Sequence, residues 1–67
     1  MFDKNKFKYF AATRNLTMAE VAQKIGVNPA TLSKKLNGST DFTRSEMQRF
    51  KEALSLSDEE VVSIFFA

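Results

Sequence analysis

Cysteine, histidine and tryptophan are all missing from this 67-residue chain, which has one proline and two glycines. Without Cys there is no disulfide and no thiolate. Without His there is no imidazole base, and the two absences together remove the side chains that build zinc sites. The glycines, Gly26 and Gly38, are too few and too far apart for a phosphate-cradling loop. No run approaches the roughly 20 apolar residues of a membrane span, and the start lacks the charged-then-apolar pattern of a signal peptide. The expectation is a soluble, cytoplasmic binding module rather than an enzyme, needing no metal and no cofactor. The Asp58-Glu59-Glu60 cluster is better explained as a helix start than as a catalytic pair.

What the chain does have is apolar side chains and unevenly placed charge. At this length it makes one small domain, and such domains bury only about 60% of their unfolded surface. The core must come from seven Phe, one Tyr and the aliphatic residues. The net charge of +2 divides into +5 over residues 1–35 and −3 over residues 36–67. A basic half and an acidic half suit a polyanion on one side and solvent or a partner on the other.

The apolar spacing is helical throughout. Phe7, Phe10 and Ala11 mark a first helix over about Asp3–Thr13, with Lys4, Lys6 and Lys8 around it; Phe2 and Tyr9 fall outside the stripe. Asn15 stands where the chain must reverse, a position that favours a residue tolerant of the left-handed conformation. Thr17 and Glu20 form a capping box before Val21, Ala22 and Ile25, with Met18 one turn upstream. Gly26 follows, as a left-handed helix end requires. Asn28 then serves as N-cap and Pro29 as first residue of a third helix, with Leu32 and Leu36 on one side and Gly38 at its close.

Further on, Thr43 and Glu46 form a second box, with Phe42 in front of it and Met47, Phe50 and Leu54 marking a helix over about Arg44–Leu54. Ser57 and Glu60 form a third box ahead of Val61, Ile64 and Phe65. Five helices and no strand make the expected class all-α. Val62 and Phe66, four apart on an adjacent stripe of the last helix, are the candidate dimer interface, the alternative being that Phe2 and Tyr9 cover them within the monomer.

Residues 17–38 therefore read as helix, short glycine-bearing turn and second helix, the helix-turn-helix unit. The series LT-MAEVAQKIGV-NPATLSKKLNG resembles the core of the Cro/C1-type (XRE-like) phage repressor family. The segment DFTRSEMQRFKEALSLSDEEVVSIFF resembles the last two helices of its short phage-regulator branch. The likeness covers nearly all of the chain from about Phe7 onward. It departs from the family at Met18, where Gln is common, and at Ala11, where Arg is common.

The resemblance implies a five-helix, lambda-repressor-like domain that reads double-stranded operator DNA in a bacterial host cell. The second helix of such a unit lies in the major groove, and its early residues meet base edges. With Leu32 and Leu36 turned inward, the opposite side should present Asn28, Pro29, Ala30, Thr31, Ser33, Lys34 and Asn37, with Lys35 further round. Lys can donate to guanine, Asn, Ser and Thr to base edges or phosphate, and Ala30 or the Thr31 methyl can touch thymine. Thr17, Asn28, Thr40 and Thr43 bring hydroxyl or amide groups beside helix starts, with Met18, Lys24 and Arg44 nearby, as candidate phosphate contacts. The family's operators imply a weak homodimer on two half-sites. A rival reading is an antirepressor that binds a phage repressor protein instead of DNA; Met18 and the acidic second half point that way.

Overall fold

Each helix begins where its cap dictates. In a computed structural model that describes residues 1–67, α1 spans Lys4–Thr13, α2 Met18–Ile25, α3 Pro29–Leu36, α4 Arg44–Leu54 and α5 Asp58–Phe65, with no strand. Thr17, Thr43 and Ser57 each accept from the backbone N–H three residues on. In return Glu20, Glu46 and Glu60 accept from the cap residue's own N–H. The first helix begins one residue later than expected, because Asp3 is its N-cap and accepts from the Lys6 N–H at 3.0 Å. Asn15 (φ 57°), Gly26 (φ 84°) and Gly38 (φ 82°) take the left-handed backbone, and so does Ser55 (φ 56°). No helix is long and apolar enough to cross a membrane.

The buried core joins all five helices: Phe7 and Ala11 from α1, Val21, Ala22 and Ile25 from α2, and Leu32 from α3. Phe50 and Leu54 of α4, Leu56 of the following turn, and Ile64 and Phe65 of α5 complete it. The Phe7 and Phe50 rings stack at 4.2 Å with only 9° between their planes. Phe2 closes this cluster, 5.0 Å from Phe42 and 5.7 Å from Phe65. Its backbone neighbour Asp3 donates to the Ile64 carbonyl at 2.7 Å, which ties the chain's start to α5. Tyr9, by contrast, stays exposed beside Phe10.

Two arginines lock the helices end to end. Arg14 Nε donates to the Leu54 carbonyl at 3.0 Å, joining the end of α1 to the end of α4. Arg49 Nη1 donates to the Ile25 carbonyl at 3.3 Å, so α4 holds the end of α2 just before the turn into α3. These bonds satisfy carbonyls that a helix C-terminus leaves without an intrahelical donor. They fix the α2–turn–α3 unit against the rest of the core.

Candidate nucleic-acid interface

The exposed face of α3 follows from its caps and its two leucines. Asn28 is extended (φ −82°, ψ 162°), and its Oδ1 accepts from the Thr31 N–H at 2.7 Å. Pro29 takes the first helical position, where its missing N–H has no partner to lose. Leu32 is buried and Leu36 half-buried, which leaves Asn28, Pro29, Ala30, Ser33, Lys34 and Asn37 exposed and Thr31 half-buried. Ala30, Ser33, Lys34 and Asn37 recur at three- and four-residue steps and so form one stripe along the helix.

Lys35 does not belong to this face. It is only 7% exposed; its Nζ lies 2.9 Å from Glu46 Oε1 and donates to the Asp41 carbonyl at 2.9 Å. The reason is helical phase. Lys35 follows Leu32 by three and adjoins Leu36, so it lies on the inward stripe. Its stem is buried while its charged head meets a carboxylate, the condition on which a buried cation is tolerated. The expectation that Lys35 touches DNA is therefore withdrawn.

The other expected positions are distributed over two regions. Met18, Pro29 and Ser33 line one shallow cavity of about 240 Å³ with Lys8, Leu32 and Leu36, so α1 adds a lysine beside the start of α3. Thr17 and Lys24 are exposed at the two ends of α2. Arg44 lines a separate cavity with Gln48, Lys51, Val61 and Phe66 on the α4–α5 side. Thr40 lies in the polar loop after α3, in the wall of a cavity shared with Lys35 and Phe42.

The electrostatics favour an anion over most of this surface. Of the ten Lys and Arg side chains, only Lys35 and Lys51 are ion-paired, Lys51 with Asp58. Lys8, Lys24, Lys34 and Arg44 are exposed and unpaired. Glu20 is the one acidic residue within residues 17–38. The Thr17 backbone N–H, then the Thr17 hydroxyl, hold its carboxyl below the ordinary range against a small opposing effect of burial, with Lys24 adding to the lowering. It thus stays ionised and occupies the Thr17 N–H itself. What remains for a phosphate at α2 is the Met18 and Ala19 N–H groups, which have no intrahelical acceptor, because Thr17 Oγ1 already caps the Glu20 N–H at 3.1 Å.

Compared with known protein families, the chain matches the one described as Helix-turn-helix over residues 8–61. It belongs to that family, in its XRE-type (Cro/C1) form, a family of DNA-binding transcription regulators. No curated protein and no solved structure matches it. The matched span runs from α1 into α5 and contains the whole of the α2–turn–α3 unit.

Proposed function

We propose that this regulator is a Cro-like repressor of phage or prophage type that reads operator DNA with α3 in the major groove. The observation that carries the reading is the stripe of Ala30, Ser33, Lys34 and Asn37, exposed and free of any intramolecular ion pair. Asn28, Pro29 and Thr31 complete the reading edge at the start of the helix. Thr17, Met18, Lys24, Thr40 and Arg44 position the domain on the backbone, where contacts orient without reading sequence. Lys8 is added to that group because it borders the same cavity as Pro29 and Ser33. Two copies act together on paired half-sites, joined through Val62 and Phe66 of the last helix.

A second reading has one observation in its favour. Met18, Pro29, Leu32 and Leu36 give the cavity beside α3 an apolar floor, a feature that suits a protein side chain better than a phosphate. On that reading the domain binds a repressor protein. A binding titration over a range of salt concentrations separates the two. Operator binding gives a linear fall of log affinity against log salt, with a slope set by the phosphates neutralised. A chain that shows no affinity for any duplex but captures a repressor is an antirepressor.

A further inference from the structure

The third helix is short and has few buried side chains. It has eight residues, and a helix that short has little stability of its own. Leu32 is its one fully buried apolar anchor, near its middle, and Leu36 is only half-buried. Beyond it, residues 37–43 form no helix, yet they carry Thr40 and the Thr43 cap of α4. Leu36 and Phe42 pack against the core, and the Gly38 and Ser39 N–H groups donate to the Lys35 and Lys34 carbonyls at 3.2 and 2.9 Å, but these bonds stop at residue 39.

Lys35 is the side chain that spans the gap. Its ammonium group donates to the Asp41 carbonyl, lies 2.9 Å from Glu46 Oε1, and stands 5.7 Å from the centre of the Phe42 ring. The same Glu46 oxygen accepts from the Thr43 N–H at 2.9 Å, while Thr43 Oγ1 accepts from the Glu46 N–H at 3.1 Å. One carboxylate oxygen therefore closes the α4 capping box and receives the α3 lysine. The pair is largely shielded, with side chains 8% and 13% exposed, and no buried polar side-chain atom in the protein lacks a partner. Burial pulls the Glu46 carboxyl upward, but the Thr43 N–H and Lys35 outweigh it and hold it below the ordinary range. Glu46 thus meets the lysine as a carboxylate at neutral pH.

We propose that Lys35 is a positioning residue for DNA recognition: it pins the end of α3 to the 39–43 loop and the start of α4, so that Ser33, Lys34 and Asn37 meet bases in register with the backbone contacts beyond. This rests on the reading that α3 enters the major groove. Base contacts depend on sub-ångström placement, whereas neutralising phosphates depends mainly on charge. Loosening the pin should therefore weaken specific binding and leave non-specific binding alone.

The test uses a duplex recovered by the wild-type protein from a randomised pool, together with a scrambled duplex of equal length. Lys35→Met keeps the buried stem and removes the charge. Glu46→Gln keeps a residue able to close the capping box and removes the partner charge. Each variant should lose about tenfold in affinity for the selected duplex, the size of one lost base contact. Each should hold the scrambled duplex as wild type does, with an unchanged salt slope. The double variant should be no worse than either single one. In the free protein, amide exchange at residues 38–43 should rise in Lys35→Met while α1 and α2 keep their protection.

Several results overturn the proposal. A salt slope reduced by about one in Lys35→Met would make Lys35 a phosphate contact. Equal losses on both duplexes, tracking the melting temperature, would make it a stabiliser and nothing more. Unchanged exchange at residues 38–43 would remove the pin itself. If the wild-type protein selects no sequence from the pool, the DNA reading fails and the positioning role falls with it. The exchange arm then still reports whether the lysine holds the loop.

Discussion

The Arg49 guanidinium lies across the left-handed turn at Gly26, donating from Nη1 to the Ile25 carbonyl at 3.3 Å. A Cβ built on Gly26 would sit 2.5 Å from that same Nη1. The glycine is thus required by its φ of 84°, and a Cβ there would in addition displace the flexible end of Arg49. Left-handed backbone costs a residue with a Cβ about 1–2 kcal/mol. A β-branched side chain would also push Arg49 from its carbonyl. Gly26→Val should lower stability by about 1–2 kcal/mol, a large share of the total in a domain this small. Thermal melting followed by circular dichroism checks it, and an unchanged midpoint would show that this turn tolerates a Cβ.

Ser55 offers the opposite change. It ends α4 in the left-handed conformation, with φ 56° and ψ 46°, where helices prefer glycine. Its side chain makes no hydrogen bond in return, while its backbone N–H already donates to the Glu52 carbonyl. Ser55→Gly should relieve the strain at some cost in unfolded-chain entropy, for a net gain of about 0.5–1 kcal/mol. In a domain of this size that raises the midpoint by about 2–8 °C. A midpoint that falls instead would mean the entropy cost dominates.

The contrast between these two turns shows which features the sequence discloses. Capping boxes at Thr17, Thr43 and Ser57 are contained within four residues, so their chemistry can be read directly. The left-handed sites at Asn15 and Gly26 announce themselves through residue type, and Ser55 does not. The outward stripe of α3 follows from two leucines and helical phase. The burial of Lys35 is not legible locally, because lysine is rarely buried without a partner and its partner Glu46 lies eleven residues away on another helix. Nothing near Arg14 or Arg49 in the sequence marks their partners, because the Leu54 and Ile25 carbonyls lie 40 and 24 residues away and come within reach only in the fold. Phe2 precedes the first helix and so lies outside any periodic stripe, yet it stacks into the aromatic core.

Stability should be insensitive to pH near neutrality and should fall in acid. Glu20, Glu46 and Asp58 all have folded-state carboxyls below their ordinary values. At Glu20 the cause is the Thr17 N–H. At Glu46 burial is outweighed by Thr43 and Lys35. At Asp58 it is the Lys51 ammonium. A depressed folded pKa means that the unfolded chain takes up protons first as pH drops. The stabilisation is therefore complete above the unfolded carboxylate range, near 4, and is lost as pH falls through the folded values. Glu46→Gln should remove part of this acid sensitivity, because its carboxylate is the shielded one of the three. Chemical denaturation at a series of pH values from neutral to about 3 tests this. A stability maximum in the acid range would contradict the sign.

Lys34 should behave as a reader of the duplex. It is exposed, unpaired and central to the α3 stripe. Lys34→Ala should cost about 1–3 kcal/mol on a selected duplex and relax preference at one base pair if the lysine meets a base edge. A uniform loss on all duplexes, with a salt slope smaller by about one, would place it on phosphate instead. Footprints identical to wild type would remove α3 as the reading helix.

The last helix should carry the contact between two copies. Val62 is 53% exposed and Phe66 61%, and neither Phe2 nor Tyr9 covers them, since Phe2 is turned into the aromatic core and Tyr9 lies beside Phe10. Phe66 stands between two cavities of about 390 and 350 Å³, with Met47 in the wall of both. An exposed apolar side chain flanked by two open recesses can meet its own copy across a two-fold axis, the arrangement that paired half-sites about one helical turn apart require. The patch is small, so association in solution should be weak and should strengthen on DNA. Phe66→Asp should abolish cooperative binding to a duplex with two half-sites while preserving the melting temperature and the affinity for one half-site. Sedimentation together with binding curves on one-site and two-site duplexes separates the outcomes. Cooperativity that survives the substitution would move the interface elsewhere. A variant that melts far below wild type would show that Phe66 belongs to the monomer's own packing.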